Sequence, residues 1–223
     1  MFSNDKIVFV GAGSMAEAII SGLLAKELVH KNQIWVTNHS NEERLRELEE
    51  NYAINTTRDY EKLFQNSTIV ILAMKPKDVE SSLASIQNYV TDNQLILSVI
   101  AGVSLDFMER ILNKEIPVVR AMPNTSAAVG KSATAIALGT YSDDKHMHKA
   151  KTFFSSIGTV IVVREKELHA VTGLAGSGPA YLYYLAEALE ESAIEQGLSE
   201  VVARQLMVQT FAGVAGMLQN NNE

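Results

Sequence analysis

The sequence predicts an α/β fold in which a doubly wound domain with a largely parallel sheet occupies residues 1–164 and an all-helical segment occupies 165–223. Three observations carry this. β-branched apolar runs alternate with amphipathic stretches as far as Val163, a glycine-rich turn follows the first run at once, and after the charged run Arg164-Glu165-Lys166-Glu167 only helical patterns remain.

In chain order, strands are expected at 6–10, 33–37, 68–73, 94–99, 117–121, 133–138 and 159–163. Ile69-Val70-Ile71-Leu72-Ala73 is apolar without a break, as in a strand covered on both faces. Helices are expected at 14–27, 41–51, 78–89, 105–113 and 143–157, where apolar residues recur every three or four positions with charges between. Beyond Pro179, the positions Leu182, Leu185, Ala186, Leu189 and Ala193 make a helical stripe, Gly197 can stop that helix, and 201–218 forms another. Residues 179–219 hold five acids and one base, too few charges to solvate a helical pair, so a partner surface is expected. Arg204, Gln205 and Gln209 make 201–218 an interface or core helix rather than a membrane span.

Composition narrows the function. The 223 residues are 47% hydrophobic and 20% charged with four prolines, as in a folded chain, with disorder expected only at the tail. With 19 Lys and Arg against 26 Asp and Glu, a net charge of −7 leaves no basic surface for nucleic-acid phosphates, and no nucleic-acid partner is expected. The absence of cysteine excludes disulfides, thiolate zinc sites and a cysteine nucleophile. The first apolar run, residues 7–10, is too short for a secretory leader, so a cytoplasmic protein is expected. His146 and His148 read as a solvated helix start, and no metal site is expected.

The chemistry concentrates in turns that follow strands. Gly11-Ala12-Gly13-Ser14-Met15-Ala16 closes the first strand and opens a helix, the G-x-G-x-x-A form of the dinucleotide fingerprint, in which backbone N–H groups approach a pyrophosphate. At the end of the second strand stand Thr37-Asn38-His39-Ser40, with Arg44 beyond; no carboxylate is there to repel a 2′-phosphate, which Asn38, Ser40 and Arg44 could bind, so NADPH is favoured over NADH. Ser40 also reads as the N-cap of the following helix, with Glu43 completing a capping box. Ala73-Met74-Lys75-Pro76, Ala101-Gly102 and Met122-Pro123-Asn124-Thr125 follow other strands on the same sheet edge, where ligands bind in open α/β sheets. The amide of Asn124 suits nicotinamide or substrate, whereas Lys75 reads equally well as a solvated loop lysine. Gly173 to Tyr181 is read as a glycine-rich loop entering a helix, with Gly176, Ser177, Gly178 and Pro179 at a helix start able to receive a carboxylate. Arg120 lies in an apolar strand and requires a partner.

Taken together, G-A-G-S-M-A, A-M-K-P at 73–76, R-A-M-P-N-T at 120–125 and A-V-T-G-L-A-G-S-G-P-A-Y at 170–181 resemble the pyrroline-5-carboxylate reductase family. The resemblance implies NAD(P)H-dependent reduction of Δ1-pyrroline-5-carboxylate to L-proline, with an N-terminal Rossmann-type domain and a helical C-terminal domain that interleaves with a second subunit in a homodimer or higher homo-oligomer. It implies substrate-carboxylate capture at Ser177 and Gly178, orientation by Asn124, Lys75 near the nicotinamide ribose, and Glu165 as stabiliser of the iminium. It also implies further helices beyond position 223, so the helical domain is expected to be incomplete and turnover poor. His169 stands where the family has an aspartate. Two other readings are a related NADP-dependent reductase of another small carboxylic acid and a non-catalytic NADP-binding relative.

Overall fold

A computed structural model describes residues 2–220, which divide into two compact units between Gly176 and Ser177. The division falls beyond the change of composition at 164/165. The short helix Leu168–Val171 explains the offset, because Leu168 is fully buried in the core of the first unit with Val171 packed against it.

The first unit holds an eight-stranded sheet: β1 (Ile7–Val10), β2 (Ile34–Thr37), β3 (Asn55–Thr56), β4 (Ile69–Leu72), β5 (Leu95–Ser98), β6 (Val118–Met122), β7 (Ser132–Leu138) and β8 (Gly158–Val162). The order is β3-β2-β1-β4-β5-β6-β7-β8, parallel throughout except where β7 runs antiparallel to β6. Val10 pairs with both Thr37 and Leu72, and Leu72 with Ser98, which brings the carboxyl ends of the four central strands to one edge. Side-chain alternation feeds two cores: Ile7 and Phe9 point into one, Val8 and Val10 into the other.

Around the sheet lie α1 (Ser14–Ala25), α2 (Glu42–Tyr52), α3 (Tyr60–Phe64), α4 (Val79–Ile86), α5 (Leu105–Leu112), α6 (Asp144–Phe154) and α7 (Leu168–Val171). The expected strands and helices are all present, with ends that differ from the expected ones by at most three residues in either direction. α1 stops before its expected end at Glu27, which takes a positive φ of 52°. Two elements escaped the sequence pattern: β3 has two polar residues and α3 has five residues, less than a period of either pattern needs. The N-cap of α2 is Asn41, whose side chain accepts from the Arg44 N–H at 2.9 Å, so Ser40 does not cap it.

The second unit is a helical hairpin of α8 (Gly178–Glu195) and α9 (Glu200–Asn220). Gly197, with φ +99°, supplies the left-handed turn between them, and Arg204 donates to Glu190 across the pair at 3.1 Å. Ala203 is the one buried residue between 177 and 220; Tyr184 and Leu218 are about three-quarters exposed. α9 is, among the described residues, the one helix long and apolar enough to cross a membrane by length and composition. Asn221 to Glu223, the end of the expected helical domain and of the expected disordered tail, lie outside the described residues.

Candidate active site

The aligned strand ends open onto a cleft of about 790 Å³ in the first unit. Its floor is the turn between β1 and α1. Gly11 has φ +117°, and a Cβ there would sit 2.4 Å from the Ala73 carbonyl oxygen, so only glycine lets the end of β1 meet the end of β4. Gly13, the N-cap of α1, differs: a Cβ there would meet nothing within 4 Å, and no side chain caps the helix. The N–H groups of its first turn therefore face open space, the geometry an anionic diphosphate requires.

Most of the expected cofactor residues meet here. Gly11, Ala12, Gly13, Ser14, Asn38, Ser40, Arg44, Ala73, Met74 and Lys75 line the cleft, with Pro76 next in the chain. Met15 packs against the core instead. Ala101 and Gly102 are exposed and do not line the cleft. The cleft also gathers residues that sequence reasoning missed: Glu17, Tyr60, Lys77 and the serines 81, 82 and 85. The serines had a readable signal, since Ser81 and Ser85 are one α-helical turn apart on one face. At the end of β2, the buried Asn38 Oδ1 and Thr37 Oγ1 have no hydrogen-bond partner, while Asn38 Nδ2 donates to the Asn41 carbonyl at 2.6 Å. Unpaired buried acceptors beside a glycine cradle fit a hydroxyl-rich ligand such as a dinucleotide.

Arg44 is more committed than expected. Its Nε donates to the Ala12 carbonyl at 2.9 Å, one terminal nitrogen donates to Glu47 at 2.9 Å, and the other pairs with Glu17. Hydrogen bonds to Glu17 and then Glu47 hold the guanidinium pKa above its ordinary value. The hydroxyl of Tyr52 also donates to Glu17, at 3.1 Å; burial and then the Glu17 charge push the phenol pKa up.

The expected substrate residues divide between the units. In the first, Asn124 is nearly buried and engaged within the fold: Nδ2 donates to the Ala175 carbonyl at 3.0 Å, Oδ1 accepts from the Ser126 N–H at 3.2 Å, and its own N–H donates to Ser132 Oγ at 3.1 Å. The segment expected as a glycine-rich loop is instead a π-helical turn, Thr172–Gly176, whose i→i+5 bonds occupy groups the sequence left open. A Cβ on Gly176 would stand 3.0 Å from the Met122 methyl. In the second unit, Ser177 is the N-cap of α8 and makes no side-chain cap bond, and Pro179 follows Gly178 in the first turn.

Glu165 requires a correction. Its Oε1 accepts from Arg120 Nη1 at 2.9 Å and from the Leu105 N–H at 2.7 Å, so it is the counter-ion of a buried arginine and ties down the start of α5. The carboxylate expected to face an iminium is engaged within the fold, and Arg120 has its partner. Among the described residues no cluster of three or more His, Cys, Asp or Glu could hold a metal ion, and His146 caps its own helix start through the Asp143 N–H.

A parallel sheet of this order, a glycine cradle at a helix start and an acid-free strand end define a dinucleotide-binding protein of the oxidoreductase class. A family profile described as NADP oxidoreductase, coenzyme F420-dependent, matches residues 6–102, and one described as pyrroline-5-carboxylate reductase dimerisation matches 165–223. The chain is 44% identical over 223 residues to pyrroline-5-carboxylate reductase 1 of Bacillus subtilis, covering 100% of this chain and 75% of that protein. Pyrroline-5-carboxylate reductase of Staphylococcus epidermidis is 35% identical, with 97% and 80% covered. Among solved structures, a Coxiella burnetii pyrroline-5-carboxylate reductase superposes with a TM-score of 0.91 at 32% identity, covering 99% of this chain and 82% of that one. A Plasmodium falciparum pyrroline carboxylate reductase with NADP bound gives 0.89 at 25% identity, covering 99% and 81%. The chain belongs to the pyrroline-5-carboxylate reductase family.

Proposed function

We propose that this protein reduces Δ1-pyrroline-5-carboxylate to L-proline with NAD(P)H, NADPH being preferred, as a homodimer or higher homo-oligomer in the cytoplasm. The observation that carries the reading is the cradle at the end of β1, closed by Gly11 against Ala73 and open at Gly13, in a chain of this family. NADPH, when bound, supplies the hydride that the C=N carbon accepts. The protein's own work is positioning and electrostatics, because a protonated imine is already electrophilic. Gly11, Ala12, Gly13 and Ser14 would hold the pyrophosphate on the first turn of α1, with Asn38 and Ser40 toward the adenosine ribose and Lys75 toward the nicotinamide ribose. Ser177 and Gly178 would receive the substrate carboxylate at the start of α8. Asn124 would act as a positioning residue, fixing the π-helical turn that leads to Ser177 through its bond to Ala175.

The homo-oligomer rests on the dimerisation profile over 165–223 and on the uncovered apolar side chains of α8 and α9, so a second copy rather than a membrane would cover α9. The cytoplasmic location rests on a chain without cysteine. The test is to follow NADPH absorbance on addition of Δ1-pyrroline-5-carboxylate and to quantify proline. Stoichiometric proline is expected. NADPH binding without turnover would favour a non-catalytic relative, and turnover only with another small carboxylic acid would favour a related reductase.

A further inference from the structure

Glu17 is anomalous where it stands. It lies in the first turn of α1 and lines the cleft beside Gly11, Ala12, Gly13 and Ser14. A carboxylate near a helix N-terminus is favourable in isolation, but here it shares the space that a diphosphate must enter, and the two anions repel. The surroundings answer this charge. Arg44 pairs with one carboxylate oxygen of Glu17 and the neutral hydroxyl of Tyr52 donates to the other. The same guanidinium reaches past Glu17 to the carbonyl of Ala12, inside the glycine turn. Three of its five N–H groups are thereby engaged within the fold, counting the bond to Glu47. Lys75 and Lys77 line the same cleft and, among the described residues, take part in no ion pair. Free positive charge is therefore available elsewhere in the cleft.

We propose that Arg44 is a positioning residue for the diphosphate rather than a ligand of the 2′-phosphate: it neutralises Glu17 and fixes the Ala12 carbonyl, so that the glycine turn accepts the anionic group common to NADH and NADPH. This rests on the dinucleotide reading of the cleft. It has a consequence that separates it from a direct phosphate contact. A 2′-phosphate ligand matters only to NADPH, whereas a residue that cancels Glu17 matters to both cofactors equally and becomes dispensable when Glu17 loses its charge.

The experiment titrates NADH and NADPH separately into the wild-type chain, R44A, R44K and the double variant E17Q/R44A, at low and high salt. R44A is expected to weaken both cofactors by the same factor, about tenfold. R44K keeps the charge and should retain most of the affinity, which also guards against a folding defect in R44A. E17Q/R44A should recover most of the loss for both cofactors, and added salt should narrow the gap between R44A and wild type. A loss confined to NADPH would overturn the proposal in favour of a 2′-phosphate contact. An equal loss that E17Q does not relieve would overturn it in favour of a purely structural bond. Failure of the wild-type chain to bind either cofactor would instead overturn the dinucleotide reading of the cleft, and this proposal with it.

Discussion

The two units of this chain spend their apolar residues differently. In the first, one stripe of each principal helix and the strands other than the short β3 and the edge strand β8 are buried, and Phe2, Phe9, Phe153 and Phe154 are wholly inaccessible; on β8, Ile161 and Val162 remain exposed. In the second, Tyr181, Tyr183, Tyr184, Leu206 and Val208 are more than half exposed, and α9 buries only Ala203. A sheet with helices on both faces can close two cores from its own sequence. A hairpin of two helices cannot, and stays apolar on several sides until something else covers it. The first unit therefore carries its stability and its ligand cradle internally, whereas the second carries information about a partner.

Matched substitutions break this contrast most directly. Phe153→Ala removes a fully buried ring that packs edge-on against Phe2 and Phe154. It should cost about 3–5 kcal/mol in denaturant unfolding, independent of protein concentration. Leu206→Asp, at a position 57% exposed, should scarcely alter a monomer, yet in an assembly it should lower the melting temperature and make it steepen with dilution. Identical, concentration-independent losses from both variants would erase the distinction between the units.

A smaller effect is expected at the join of β6 and α5. Glu165→Ala leaves Arg120, whose side chain is 8% exposed, without its counter-ion, and should cost about 3 kcal/mol of stability. If Glu165 instead acted on the substrate, turnover would fall with unfolding unchanged. Smallest is Ser104→Ala, which removes the N-cap bond from the Phe107 N–H at the start of α5; about 1 kcal/mol is expected by thermal unfolding.

What could be read in the sequence follows the range of each interaction. The seven longer strands, seven helices and the glycine turn are local patterns, and each was legible from periodicity or from a residue type that only one backbone shape tolerates. β3 and α3 were too short to show a period. The cleft was legible as a set of strand ends, but the chemistry between its side chains was not. Arg44 reaches across the fold to Ala12 and Glu17, Arg120 finds Glu165 from a later segment, and Asn124 finds Ala175. Such pairs are fixed by the fold rather than by sequence spacing. The π-helical turn was missed for a related reason, since glycines that read as an open loop also suit a widened helical turn.

The contrast between a self-sufficient sheet unit and an unpartnered helical hairpin is tested most directly by the mass of the 223-residue chain in solution, measured by light scattering at micromolar concentration without ligand. A mass of two chains or a multiple of that is expected, because α8 and α9 then cover one another's apolar sides. A stable, folded monomer with Tyr184, Leu206 and Val208 still open to solvent would contradict the account.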